Sequence, residues 1–108
     1  MLRIIPLKQF KVDFDDFPLS TRENFFSLIR KFVIGEKLDK NSLKVFNIDK
    51  STKIFEFRTK DKFGNWRVMS TIIKGNELVL IYAFHKKSQE LKDKDIKIIK
   101  SRIKRYLS

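Results

Sequence analysis

The sequence predicts an α+β domain in which an N-terminal strand and a three-strand meander form a small antiparallel sheet, with helices packed on one side of it. Three observations carry this expectation. An apolar run at helical spacing stops at Gly35, three strand-like runs follow one another from Lys53 to His85, and a basic amphipathic helix closes the chain. At 108 residues the chain reads as a single domain, 1–108, and its eleven phenylalanines are enough to fill one compact core.

Leu2 to Leu7 reads as a short strand. Ser20-Thr21-Arg22-Glu23 has the form of a capping box, with Ser20 as N-cap and Glu23 reaching back to it. Behind it Phe25, Phe26, Leu28, Ile29, Phe32 and Val33 recur at helical spacing, and Gly35 suits the C-terminal stop. Asp39 to Asp49 is polar and irregular, with Leu43 and Phe46 as anchors. Lys53–Thr59 alternates as a strand does, Trp66–Lys74 alternates less cleanly, and Glu77–His85 is nearly continuous in apolar residues. Gly75-Asn76 between the last two predicts a two-residue type II′ hairpin, since glycine takes the positive φ at no steric cost. Asp93–Leu107 places Ile96, Ile99, Ile103 and Tyr106/Leu107 on one helical face, with Lys94, Lys97, Lys100, Arg102, Lys104 and Arg105 on the rest.

Register carries the reading from fold to chemistry. A two-residue turn at Gly75-Asn76 sets Arg67 opposite Phe84 and Met69 opposite Tyr82. Closing the longer hairpin through Lys60–Asn65 sets Arg58 opposite Arg67. Opposed side chains share a face, so Glu56, Arg58, Arg67, Met69, Tyr82, Phe84 and Lys86 fall together. Phe55, Phe57, Val68, Ser70, Ile81 and Ala83 fall on the other face, read as the core side, and His85 follows them by parity. Two opposed arginines repel, and no folding requirement asks for them. Their forked donors suit a phosphate, and Tyr82 and Phe84 offer rings on which unpaired bases could stack. The alternative use of the same residues is a solvated surface in which Glu56 pairs with one arginine.

Composition bounds the partners. Lysine and arginine total 25 against 13 acidic residues, a net charge of +12 that favours a polyanion, nucleic acid above all. A compositional bias toward lysine would also produce charge without any binding. The absence of cysteine excludes disulfides and thiolate metal sites and fits a reducing cytoplasm, while one histidine cannot build a zinc site. The N-terminal apolar run is too short for a signal peptide and no run approaches the length of a membrane span, so the expectation is a cytoplasmic protein without membrane contact, metal or cofactor.

Phe55-Glu56-Phe57-Arg58, Trp66-Arg67-Val68, the run Leu80 to Gln89 containing Phe84-His85-Lys86-Lys87-Ser88-Gln89, and a last helix with Asp95-Ile96 and Arg102 together resemble the HigB-like, phage-associated branch of the RelE/ParE toxin superfamily. The resemblance spans residues 54–106, and the Phe-x-Lys-Lys-Ser-Gln element is its specific part. Lys92 stands where that branch often has proline, and Ile99 where it often has a small residue. What the resemblance implies is a RelE-like fold and the toxin of a type II toxin–antitoxin system. It implies an enzyme, an endoribonuclease that cuts mRNA on the ribosome through attack by the ribose 2′-hydroxyl, leaving a 2′,3′-cyclic phosphate and needing no metal. Partners would be the ribosome with its mRNA and a cognate antitoxin, expected to be of helix-turn-helix type, with operator DNA reached only through the antitoxin complex. Arg58, Arg67 and Lys86 map onto the catalytic positions. His85, Lys87, Tyr82 and Glu56 stand second, Glu56 as a group that orients an arginine, and Phe84, Lys97, Lys100 and Arg102 are expected RNA contacts. Two other functions compete: a ParE-like toxin that inhibits gyrase, and a non-catalytic nucleic-acid-binding domain.

Overall fold

A computed structural model describes residues 1–87 and 91–108. Its elements in chain order are β1 (Arg3–Pro6), α1 (Lys8–Asp15), α2 (Leu19–Val33), β2 (Leu43–Asn47), β3 (Lys53–Asp61), β4 (Gly64–Ile73), β5 (Glu77–Lys86) and α3 (Asp93–Leu107). The five strands form one sheet in the order β1-β5-β4-β3-β2. The α+β class and the three-strand meander stand as expected. The N-terminal strand, however, runs parallel to β5, whereas every other pairing is antiparallel.

The helices do not share one side of the sheet. Phe10 and Phe14 of α1 and Phe25 and Ile29 of α2 pack with Phe57, Trp66, Val68, Leu80 and Ala83, while Ile99 of α3 packs on the opposite face with Ile54, Met69, Val79 and Ile81. The cause is legible in β5, whose near-continuous apolar run is what a strand covered on both faces requires. Two elements within the polar stretches were not anticipated. α1 forms because Phe10 and Phe14, one turn apart, stack at 5.1 Å and enter the first core. β2 forms because Leu43 and Phe46 anchor it on opposite faces of the sheet.

α2 begins one residue before the expected cap. Pro18 precedes its first turn, Ser20 lies inside it, and no side chain caps it. Thr21 instead gives its hydroxyl proton to Asp61 at the β3–β4 turn, where Trp66 Nε1 (3.0 Å) and the Phe63 amide (2.9 Å) also donate. Burial works to raise the Asp61 pKa, but these donors outweigh it and the carboxyl titrates below its usual range. At the other end Gly35, at φ +92°, lets the Glu36 amide return to the Lys31 carbonyl and the Gly35 amide to Phe32.

The β4–β5 register contains two offsets that cancel. The turn spans Lys74-Gly75-Asn76, with positive φ at Lys74 and Gly75, so Ile73 pairs with Glu77 and the two-residue type II′ turn is not the one formed. A β-bulge between Met69 and Ser70 then leaves Ile81 without a partner residue and restores Met69↔Tyr82 and Arg67↔Phe84. The bulge also carries Ile81 to the α3 face, against its expected place on the α1/α2 side.

β1 ends at Pro6, opposite Leu80, and the outer edge of β5 continues beyond it. There Asp13 of α1 accepts from the Ala83 amide (3.2 Å), and Arg102 Nη1 donates both to the Ile81 carbonyl (3.0 Å) and to Asp13 Oδ2 (2.6 Å). Arg102 therefore points inward from α3 and ties it to α1 through the sheet edge. Arg102→Leu strands the Asp13 carboxylate and the bulge carbonyl and should cost about 2–3 kcal/mol, a fall in Tm of roughly 10–20 °C. Lys97→Ala, exposed on the same helix, should cost less than about 0.5 kcal/mol. Thermal melting of the two variants decides; equal melting would refute the clamp.

Candidate functional site

Three cross-strand rows build one charged surface on the α3 side. Lys44, Glu56, Met69 and Tyr82 form the first row, Arg58, Arg67 and Phe84 the second, and Lys60, Asn65 and Lys86 the third. α3 runs back along β5, from Asp95 beside Tyr82 to Tyr106 beside Glu77. The second and third rows lie past its N-terminal end. The Arg58–Arg67 opposition read from the sequence is thus present, within a group of cations arranged about one carboxylate.

That carboxylate, Glu56, is only 3% exposed, and Arg67 only 7%. Arg58 Nε stands 3.4 Å from Glu56 Oε1 and Arg67 Nε 3.8 Å from Oε2. Neither Nε completes a hydrogen bond, although both are shielded from solvent. Arg67 spends one donor on the Trp66 carbonyl at 3.0 Å. Burial lowers the Arg67 pKa, Arg58 lowers it further, and Glu56 opposes them. Lys86 also titrates below its usual range: burial is the main cause, Glu56 resists, and Arg67, Arg58 and Lys44 add to the fall. One carboxylate cannot balance this many cations at close quarters. The site has donors to spare, and guanidinium forks are of the kind that suits the tetrahedral oxygens of a phosphate.

The remaining expected residues distribute as follows. Phe84 stacks on Tyr82 with centroids 5.0 Å apart, which places an aromatic surface beside Arg67. The Tyr82 hydroxyl donates to Asp95 (2.8 Å), and burial followed by that carboxylate pushes its pKa well up, so its proton is held. Asp95 also accepts from the Lys92 amide (3.3 Å), which fastens the start of α3 to the same tyrosine. His85 lies on the opposite face, as parity indicated, stacked on Trp66 at 4.2 Å. A Cβ on Gly64 would sit 2.2 Å from His85 Nε2, so the hairpin must present bare backbone there. Lys87 is exposed just past β5, and Ser88 and Gln89 of the Phe-x-Lys-Lys-Ser-Gln element lie outside the described residues. Lys97 and Lys100 are exposed on α3, Lys100 with Asp49 at 4.0 Å. Arg102 is held inward by Asp13 and Ile81, with its guanidinium 5.1 Å from the Tyr82 ring centroid, so its Nη1 is spent on contacts within the protein.

Sequence reasoning missed Lys44 and Lys60. Lys60 continues the parity of Glu56 and Arg58 and could have been found by extending β3 two residues. Lys44 depends on β2, whose only signal was the short alternation Leu43-Lys44-Val45 inside a polar stretch.

A family model described as phage derived protein Gp49-like (DUF891) matches residues 12–104. The match takes in α2, all of β2 to β5 and most of α3, and so every residue of the charged rows. No curated protein matches the chain.

Glu56 is what allows the buried Arg67 to lie beside the half-buried Arg58. Glu56→Gln should therefore destabilise the protein by about 2–3 kcal/mol, as removing one partner of a buried ion pair does, reduced here because Arg58 is partly exposed. Sulfate should raise the Tm of the wild type, and that of Glu56→Gln by more, since the added anion then replaces the lost carboxylate. Unchanged melting without any response to sulfate would contradict this account of the cluster.

Proposed function

Because the chain belongs to the Gp49-like family, part of the RelE/ParE-like toxin superfamily and often found as toxins of toxin–antitoxin systems, we propose that it is the toxin of a type II pair and cleaves mRNA on the ribosome. The observation that carries the nuclease reading is the pair of guanidiniums with shielded, unsatisfied Nε groups beside Lys86 and an aromatic stack. A gyrase-directed toxin has no use for a built phosphate site of this kind.

In this proposal Arg58 and Arg67 hold the scissile phosphate and take up the charge that grows on its oxygens as the 2′-oxygen adds. The 2′-O–P bond forms and the P–O5′ bond breaks, leaving a 2′,3′-cyclic phosphate and a 5′-hydroxyl. The proton of the 2′-hydroxyl leaves to water, and the departing 5′-oxygen takes one from the Lys86 ammonium. A lysine whose pKa is lowered gives that proton up more readily than an ordinary one. Glu56 keeps the two guanidiniums in place, and Phe84 supports an unstacked base. So small a chain offers only one face to the RNA, and the ribosome supplies the in-line geometry that a free strand lacks. An antitoxin partner completes the system.

Single-turnover cleavage of ribosome-bound mRNA tests the assignment. Arg58→Ala and Arg67→Ala should each slow it roughly a hundred- to a thousandfold, about 3–4 kcal/mol of transition-state stabilisation, and the double variant should lose less than the two combined. Wild-type rates in folded variants, or inhibition of supercoiling in place of RNA cutting, would overturn the proposal.

The pH dependence tests Lys86 separately. Its ammonium is the acid, so the rate should fall as pH rises through its lowered pKa, before the ordinary lysine range is reached. Lys86→Gln should be slow and should lack that alkaline fall. An identical alkaline limb in Lys86→Gln assigns the proton to another group.

A further inference from the structure

A groove lies away from Arg58 and Arg67, on the α1/α2 side of the sheet. It has a volume of about 780 Å³ and runs between β1, α1 and α2. Phe10, Phe14, Ile29 and Leu80 floor it, and all four belong to the core of the α1/α2 side. Its rim is unusual for a water-exposed surface. Phe26 is 59% exposed and Ile4 42%, and Phe26 is braced edge-on against Phe14 at 5.5 Å. An apolar opening with an aromatic lip is the shape that receives side chains of another polypeptide.

The groove also carries a polar requirement. Arg22 lines it from the first turn of α2, and its Nε is shielded from solvent with no hydrogen-bond partner. A buried guanidinium donor without an acceptor is costly, and a carboxylate is the acceptor that relieves it best. Lys11 and Arg30 line the groove with Arg22, against the carboxylates of Asp15 and Glu23, so the lining keeps a small positive excess within a chain that carries +12. The occupant that satisfies floor, rim and field together is an acidic amphipathic segment, with apolar side chains on the phenylalanines and a carboxylate toward Arg22. A neutral polar segment could accept from Arg22 but would not answer the positive field, and a basic segment would add to it.

We propose that this groove is where the partner protein of the toxin–antitoxin pair docks, through such an acidic amphipathic segment. The inference rests on the toxin reading above and goes beyond it. It places the contact on the face of the sheet opposite Arg58 and Arg67. A partner held here leaves the cations uncovered, so it neutralises by adding bulk that keeps the chain out of a confined site, without filling the phosphate site itself.

The test is co-expression of the full chain with the protein encoded by the neighbouring gene. Phe26→Asp and Ser27→Arg change exposed positions on the α2 side of the groove and leave the core intact. Both variants should still arrest growth, which shows that they fold and act, but the neighbouring protein should no longer lift the arrest. Capture of that protein should weaken roughly 30- to 100-fold, the scale for an aromatic anchor at an interface centre. Arg67→Ala, on the other face, should be captured as well as the wild type. Arrest that is still lifted in both groove variants overturns the inference alone. Loss of arrest in variants that melt like the wild type gives the groove a part in the toxic activity and also overturns it. A wild type that arrests nothing, or whose arrest the neighbour does not lift, overturns the toxin reading and this inference with it.

Discussion

β5 is paired along both edges only as far as Leu80, because β1 stops at Pro6, the Leu7 amide makes the last bond to Leu80, and the chain then turns into α1 at Lys8. Just past that point Ile81 and Ala83 are buried under helices on opposite faces, and the edge groups there need partners inside the protein. An unpaired buried backbone group costs on the order of 1–3 kcal/mol. Asp13 and Arg102 supply an acceptor and a donor, and they neutralise each other while doing so. One ion pair thus closes the sheet edge, holds the bulge at Ile81 open and joins the first helix to the last. The bulge in turn sets the register of everything downstream on β5, including Phe84 and Lys86.

The charged surface follows from that register. With Arg67 paired to both Arg58 and Phe84, two guanidiniums and a ring converge, and Lys86 arrives one step farther on. Burying this much positive charge requires a counter-charge, and Glu56 supplies one carboxylate for several cations. Stability alone would call for better pairing, with full hydrogen bonds at the Nε atoms. A site left short of anions within the protein is what the proposed phosphate-binding role would require.

Much of this was legible in the residues. Parity along β3, β4 and β5 is a strict rule, so Glu56, Arg58, Arg67 and Lys86 sorted to one face before any coordinates. The Arg67–Phe84 pair came out right although the turn is one residue longer than expected, because the bulge removes the difference. Neither offset has a strong local signature. What could not be read was long-range. The parallel direction of β1 and the placement of α3 on its own face depend on contacts between distant parts of the chain. Arg102 shows the limit most clearly. Arg102 borders the apolar face set by Ile99 and Tyr106, but nothing local says that its guanidinium turns inward, and the unfinished edge of β5 is what receives it. Lys44 went unseen because β2 is short and sits among turn-forming residues.

Trp66 is the only tryptophan of the chain, and its surroundings make it an optical reporter. Its indole lies between Phe17, at 4.6 Å, and the His85 imidazole, and its N–H is held by Asp61. The emission therefore comes from one environment, at the seam between the aromatic core and the strand that ends in Lys86. Intensity follows the contact of the indole with the His85 ring, while wavelength follows burial. Unfolding and motion at the hairpin tip each leave a different spectral trace, and both can be followed in the native chain without an added dye.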